Sequence, residues 1–410
     1  MGRSFQCCAS ESDTPWSIAP SEVCYSPITM CYGDDGYDSS EENQTQVILR
    51  GSGKIGGLSV LVSANTLTTA SMTIATRKNT AAGAQSVVVT AGSTGIFSDT
   101  TNVDNFADGD VYNCQITAQA GGSGTAKIRY IGVWRFDNTN HRTQYGVTND
   151  GLVSFVASTN YFLHLAGDIG LETVENSVKS KIDIVGSFIN LQVGLAVNGR
   201  STSTVIRLRK NNANGNLVVT VTAGSTGVFE DTTHSDDVVE GDDVNYSLVT
   251  GSGTGTFGVR YIGTTKQNVN SNKSNIFSTI ALGRVRGGGA TLACGIAGLI
   301  QVNSLAESIV NQNLNFDFIA TKLRCYISAN LHITDSTLTL RKNAGNTALT
   351  MTIPALTTGI FEDTTHTVEG LGTDEMDYLW SGGTSGNATV HWIGMLIESK
   401  PTELFTGDLI

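Results

Sequence analysis

The sequence predicts an all-β protein: three tandem antiparallel β-sandwich modules, jelly-roll-like, related by an internal repeat of 132 residues. Three observations carry that expectation. Apolar and polar residues alternate at a period of two, turn residues punctuate the alternation, and one acidic turn returns three times at a single spacing.

The spacing comes first. Thr94-Gly95-Ile96-Phe97-Ser98-Asp99-Thr100-Thr101 returns as Thr226-Gly227-Val228-Phe229-Glu230-Asp231-Thr232-Thr233, and again as Thr358-Gly359-Ile360-Phe361-Glu362-Asp363-Thr364-Thr365, each step being 132 residues. Arg77-Lys78-Asn79, Arg209-Lys210-Asn211 and Arg341-Lys342-Asn343 keep the same step. Between residues 206–234 and 338–366, 16 of 29 aligned positions are identical, which chance does not produce in collinear order. With the last copy ending at Ile410, the modules run 15–146, 147–278 and 279–410, after an N-terminal tail at 1–14. A unit of this length is long enough to carry its own core, and no long linker separates the copies.

Within a module, Ile206 and Leu208 alternate with Arg207 and Arg209. Val219 and Val221 follow, then Val244, Tyr246 and Leu248, then Phe257, Val259 and Tyr261. The opposite face carries Thr, Ser, Asn and Arg, so one face is buried and one is wet, as in an antiparallel sheet of a sandwich. Seven or eight strands per module suit a sandwich or jelly roll. Phe97, Phe229 and Phe361 are expected at equivalent buried places, and short helices at 171–181 and 305–312.

Composition narrows the function. With 46 Gly, only 5 Pro, 40% hydrophobic and 15% charged residues, the chain is ordered and rich in turns. A net charge of −12 opposes nucleic-acid binding. No run of 18 apolar residues is present to span a membrane as a helix. The start, Met1-Gly2-Arg3-Ser4-Phe5-Gln6, lacks the apolar core of a signal peptide, and Gln6 stands where a myristoylation motif needs Ser or Thr. Synthesis in a cytoplasm is the expectation. Seven cysteines are present, four of them early: Cys7, Cys8, Cys24 and Cys31. Their spacing fits no paired zinc hook, so thiols are expected, with disulfides and metal ligation left open.

No Ser/His/Asp constellation, zinc-helix motif or phosphate loop is present, so an enzyme is not expected and no cofactor is assigned. The one candidate metal site is the acidic stretch of the second module, where Glu230, Asp231, Asp236, Asp237 and Asp242 offer oxygens for calcium. The competing reading makes Asp99, Asp231 and Asp363 turn formers that bond backbone amides. His234 and His366 align with Asn102, which disfavours a shared ligand or base. Arg77, Arg209 and Arg341 are expected to pair with acids across the sheet. Aromatic residues make up 7%, few for a sugar-stacking platform, although Trp134, Trp380 and Trp392 are candidates.

The Arg-Lys-Asn turn, the acidic turn, and Gly241-Asp242-Asp243-Val244-Asn245-Tyr246 resemble the β-sandwich modules of tailed-bacteriophage virion proteins: capsid decoration proteins, head fibres and tail appendages. The resemblance spans all three modules and implies a structural, self-assembling role in the virion, with no functional residue carried over. It implies other virion proteins and copies of the chain itself as partners, in a particle assembled in the host cytoplasm. The expected function is a capsid-surface decoration or cement protein, or an appendage component, assembling through its sandwich faces and N-terminal segment. The alternatives are a fibre or surface adhesin that binds a receptor or host-surface glycan, and a subunit of an extracellular filament.

Overall fold

The computed structural model describes residues 3–9, 16–28, 31–32, 42–137, 141–269, 272–299 and 306–400. The first set of strands is β1 (Arg3–Ala9), β2 (Trp16–Ile18), β3 (Val23–Ser26), β4 (Cys31–Tyr32), β5 (Val47–Ile48), β6 (Gly53–Asn65), β7 (Met72–Lys78), β8 (Ala81–Val89), β9 (Gly95–Phe106), β10 (Val111–Ala118) and β11 (Ala126–Asp137). The second is β12 (His141–Ser154), β13 (Asn160–Leu163), β14 (Gly167–Asp168), β15 (Ser180–Lys181), β16 (Gly186–Asn198), β17 (Thr204–Lys210), β18 (Ala213–Val221), β19 (Gly227–Val238), β20 (Asp243–Val249) and β21 (Phe257–Asn268). The third is β22 (Lys273–Gly287), β23 (Thr291–Cys294), β24 (Gly298–Leu299), β25 (Phe318–Asn330), β26 (Ser336–Lys342), β27 (Gly345–Ile353), β28 (Gly359–Gly370), β29 (Met376–Ser381) and β30 (Asn387–Ser399).

Each set arranges eight of its strands as two facing runs of four, in one order. β1-β11-β6-β9 lies with β3-β10-β7-β8, β12-β21-β16-β19 with β13-β20-β17-β18, and β22-β30-β25-β28 with β23-β29-β26-β27. That order is the eight-stranded jelly roll, a double Greek key. The alternation seen in the sequence explains the packing. Ile206 and Leu208 of β17, Val219 and Val221 of β18, and Val244, Tyr246 and Leu248 point inward and are buried together with Leu191, Val193 and Ile262 from the facing sheet.

The Arg-Lys-Asn motif has a local cause. Asn79 and Thr80, Asn211 and Asn212, and Asn343 and Ala344 all take positive φ, between 49° and 65°, in the two-residue turns that join β7 to β8, β17 to β18 and β26 to β27. A turn with both central residues left-handed matches the twist of the strands it connects, and Asn is among the residues that tolerate it.

Four expectations need correction. The boundaries at 146/147 and 278/279 cut through β12 and β22, which pair with β21 and β30 as the outer strands of the second and third sandwiches. A repeat spacing fixes the length of a unit and not its phase. The tail at 1–14 contains β1, paired with β11 from Arg3↔Phe136 to Ala9↔Tyr130. The helices at 171–181 and 305–312 are single 3-10 turns, Glu175–Ser177 and Glu307–Ile309, and no α-helix occurs among the described residues. Phe97, Phe229 and Phe361 are half-buried and pack against the core from its border, because β9, β19 and β28 are edge strands. An acidic run from Asp34 to Glu42 is also expected to mark this end as a contact site; only Glu42 of it lies within the described residues.

Candidate functional site

The most repeated polar residues hold each sandwich together. Asp231 on β19 accepts from the Val218 amide of β18 at 2.9 Å, so its carboxylate joins the two sheets. The same carboxylate takes the Thr233 amide, the Thr233 hydroxyl and His234 Nδ1 at 2.9–3.1 Å. Asp99 does this with Ser86, Thr101 and Asn102, and Asp363 with Thr350, Thr365 and His366. This explains why His234 and His366 align with Asn102: each offers a side-chain N–H to the same Asp, a task both residue types perform. Burial works against the Asp231 charge, but the Val218, Thr233 and His234 donors outweigh it and hold the acid at about 2. Replacing Asp231 with Ala is expected to cost about 2 kcal/mol, read by urea denaturation, since charge-assisted bonds go and the Val218 amide loses its partner. A depressed carboxylate adds stability above its unfolded value near 3.8, and that contribution disappears as pH falls toward 2.

The other recurrent elements act alike. Arg77, Arg209 and Arg341 pair with Glu42, Glu175 and Glu307 at 2.6–2.8 Å; these acids come from the 3-10 turns, not from a neighbouring strand. Asn79, Asn211 and Asn343 donate to Asp110, Asp242 and Asp374, each at 2.7 Å. The five calcium candidates are therefore engaged separately. Glu230 pairs with Arg50, Asp231 joins the sheets, Asp236 accepts from the Asn216 and Leu217 amides, Asp237 from the Ser187 hydroxyl, and Asp242 from the Val239 amide and Asn211. Among the described residues no three His, Cys, Asp or Glu side chains converge as metal ligands. Cys114, Cys294 and Cys325 are buried, and burial pushes the Cys294 and Cys325 thiols up to about 12.

Contacts between neighbouring sandwiches hold the three in a ring. β4 lies against β12 and β14, β14 against β22 and β24, and β24 against β1 and β4, so the circuit closes. β4 and β14 pair in parallel through Cys31↔Gly167, which fuses two of the sandwiches into one eleven-stranded sheet. Gly167 has φ +102°. A Cβ there would stand 2.0 Å from the Thr279 hydroxyl and 2.9 Å from the Gly298 carbonyl, so the strands meet only because this residue has no side chain.

Around the ring, one position in each sandwich reaches the next. Arg50, Asp183 and Asn315 each stand three residues after a residue paired with β10, β20 or β29: Val47, Ser180 and Gln312. Arg50 forms an ion pair with Glu230, while the Ile48 carbonyl accepts from Gln192 at 3.0 Å and Gln144 at 3.3 Å. Asp183 reverses the polarity: it binds Arg324, lies 3.6 Å from Lys322, and accepts from Asn275 at 2.7 Å. At the third junction the contacts described join neutral groups. Asn315 donates to the Gly57 carbonyl at 2.7 Å, and Asn313 Oδ1 accepts from Tyr130 at 3.1 Å and from the Ser59 hydroxyl. Burial raises the Asp183 acid, with Arg324 and Lys322 opposing that rise. Behind it the fully buried Lys266 is pushed down to about 7 by burial, with its ammonium donating to the Ile184 carbonyl at 2.9 Å.

No protein-family model and no curated protein matches the chain. Among solved structures, a chain in the atomic structure of Sulfolobus Turreted Icosahedral Virus aligns over 86% of this chain and 82% of its own length, at 14% identity and a TM-score of 0.19. A likeness at that score settles neither fold nor role, and the reading below rests on topology and junction chemistry.

Proposed function

We propose that the chain is a virion structural protein: a capsid-surface decoration or cement protein, or an appendage component, that assembles with copies of itself and with other virion proteins. The observation that supports this reading is the closed ring of three jelly rolls in one polypeptide, joined by three chemically different contacts. A particle with local threefold symmetry needs three similar surfaces at fixed angles, and one chain with an ordered ring supplies them without three separate subunits. Jelly rolls also occur in lectins, so a glycan-binding fibre or adhesin is the second reading.

Part of the N-terminal segment serves the chain's own fold. Phe5 and Cys7 are buried inside the chain's own core, and β1, β2 and β3 pair with β11 and β10. Assembly is assigned to the outer sandwich faces together with the part of the N-terminal segment that does not pack on the chain itself. Electron microscopy of the purified chain at rising concentration is expected to show ordered sheets or shells built from one three-lobed unit. Dispersed particles that never associate, together with selective binding to one sugar on a glycan array, would favour the fibre reading.

A further inference from the structure

We propose that the contact between the second and third sandwiches is an acid-sensitive latch, in which two buried histidines, His164 and His391, hold the contact closed only while both are neutral. His164 follows β13 and is 1% exposed. It is placed by one bond that crosses the junction, Nε2 to the Ile280 carbonyl of β22 at 3.2 Å, which requires the proton on Nε2. His391 on β30 is 3% exposed. Its Nε2 meets the Ser328 hydroxyl at 2.8 Å, and its Nδ1 faces Glu172 of the second sandwich at 3.9 Å. Neither Nδ1 has a hydrogen-bond partner: a proton on His164 Nδ1 would be buried without an acceptor, and one on His391 Nδ1 would face only the Glu172 carboxylate at 3.9 Å, beyond hydrogen-bond reach.

The position is particular to this junction. The residue after Leu163 in β13 is His164, whereas the residue after Ser26 in β3 is Pro27 and the one after Cys294 in β23 is Gly295. These strands pair with β10, β20 and β29 in matching register, so an ionisable ring stands in one sandwich where the others carry none. The charged and titratable groups around the pair are few. Glu172 approaches His391 from the second sandwich, and the Tyr326 ring of β25 lies 5.7 Å from the His391 ring. Arg284 adjoins Gly283, whose added Cβ would meet His391 Nε2 at 2.8 Å. Arg324, two residues before Tyr326, is engaged by Asp183 and Glu362.

Burial lowers His164 to about 3, with His391 adding to the effect, and burial lowers His391 to about 4. Both values lie below the usual 6.5, so the open state binds protons that the closed state refuses. Closure is therefore fully favoured above pH 6.5 and weakens as pH falls toward 4 and then 3. Among the described contacts the other two junctions contain no histidine.

Hydrogen exchange of the whole chain, corrected for the intrinsic rate at each pH, tests the latch. Between about pH 7.5 and about pH 5, the opening constant of amides in β13 and β22 is expected to rise at least about tenfold per histidine, while amides beside Gln192 and Gly57 change little. His164→Gln and His391→Gln keep a neutral donor and do not titrate, so each is expected to flatten the profile and the double variant to abolish it. An unchanged opening constant in the wild type, equal opening at all three junctions, or wild-type profiles in both variants would overturn the proposal. Should His164→Gln fail to fold, the His391→Gln profile and the wild-type comparison of the three junctions still decide it.

Discussion

Replacing Arg324 with Met is expected to destabilise the chain by about 3–5 kcal/mol, among the largest losses from any single polar side chain. Arg324 is 7% exposed and binds Asp183, also 7% exposed, across the contact between the second and third sandwiches. Its removal leaves a buried carboxylate with Asn275 at 2.7 Å and a Lys322 ammonium 3.6 Å away that also serves Glu240. Most of the cost is that uncompensated charge, not the value of the bond. Adding Asp183→Asn to the Arg324→Met chain is accordingly expected to recover much of the loss. A double-mutant cycle by urea denaturation measures this, and simple additivity of the two single losses would contradict it. Arg50→Met is expected to cost less, because its partner Glu230 is more open to water, at 18% side-chain exposure.

The same contrast shows how much was legible in the sequence. Asp99, Asp231 and Asp363, the arginines 77, 209 and 341, and the asparagines 79, 211 and 343 perform one task each, three times over, and their chemistry recurs at one spacing. The sandwich, its turns and its buried faces followed from them. Arg50, Asp183 and Asn315 occupy one place in the ring and share no chemistry, so nothing in a search for likeness draws attention to them. Their difference has a physical use. A basic, an acidic and a neutral contact fit in one order around the ring. Phe97, Phe229 and Phe361 were misplaced for a related reason. Identical residues mark a shared environment, but on an edge strand that environment is the border of the core, and the deeper residue is the neighbouring Asp231 or Asp363. The acidic stretch of the second sandwich looked like a ligand set because proximity in sequence says nothing of direction: its side chains leave the strand toward different partners.

Gly167→Ala is expected to cost about 2–4 kcal/mol although it adds a single methyl group. Part of the cost is conformational, since φ +102° lies where an L side chain is rarely found. The larger part is steric. The Thr279 hydroxyl that the methyl would strike already donates to the Ala166 carbonyl at 2.6 Å, and the Gly298 carbonyl behind it is backbone that cannot turn aside. Gly224 supplies the control. It also has positive φ, +73°, but nothing lies within 4 Å of an added Cβ. The third sandwich shows that such a place accepts a side chain, because Leu356 sits at the matching turn with φ 59° and 65% exposure. Gly224→Ala should therefore cost only about 1 kcal/mol, the backbone component alone. If the two alanine variants melt alike, the strands at the centre of the ring have room to part and Gly167 is not what lets them meet. If Gly167→Ala loses several times more, and the loss of exchange protection begins at β14, β22 and β24, then ring closure depends on that one missing side chain.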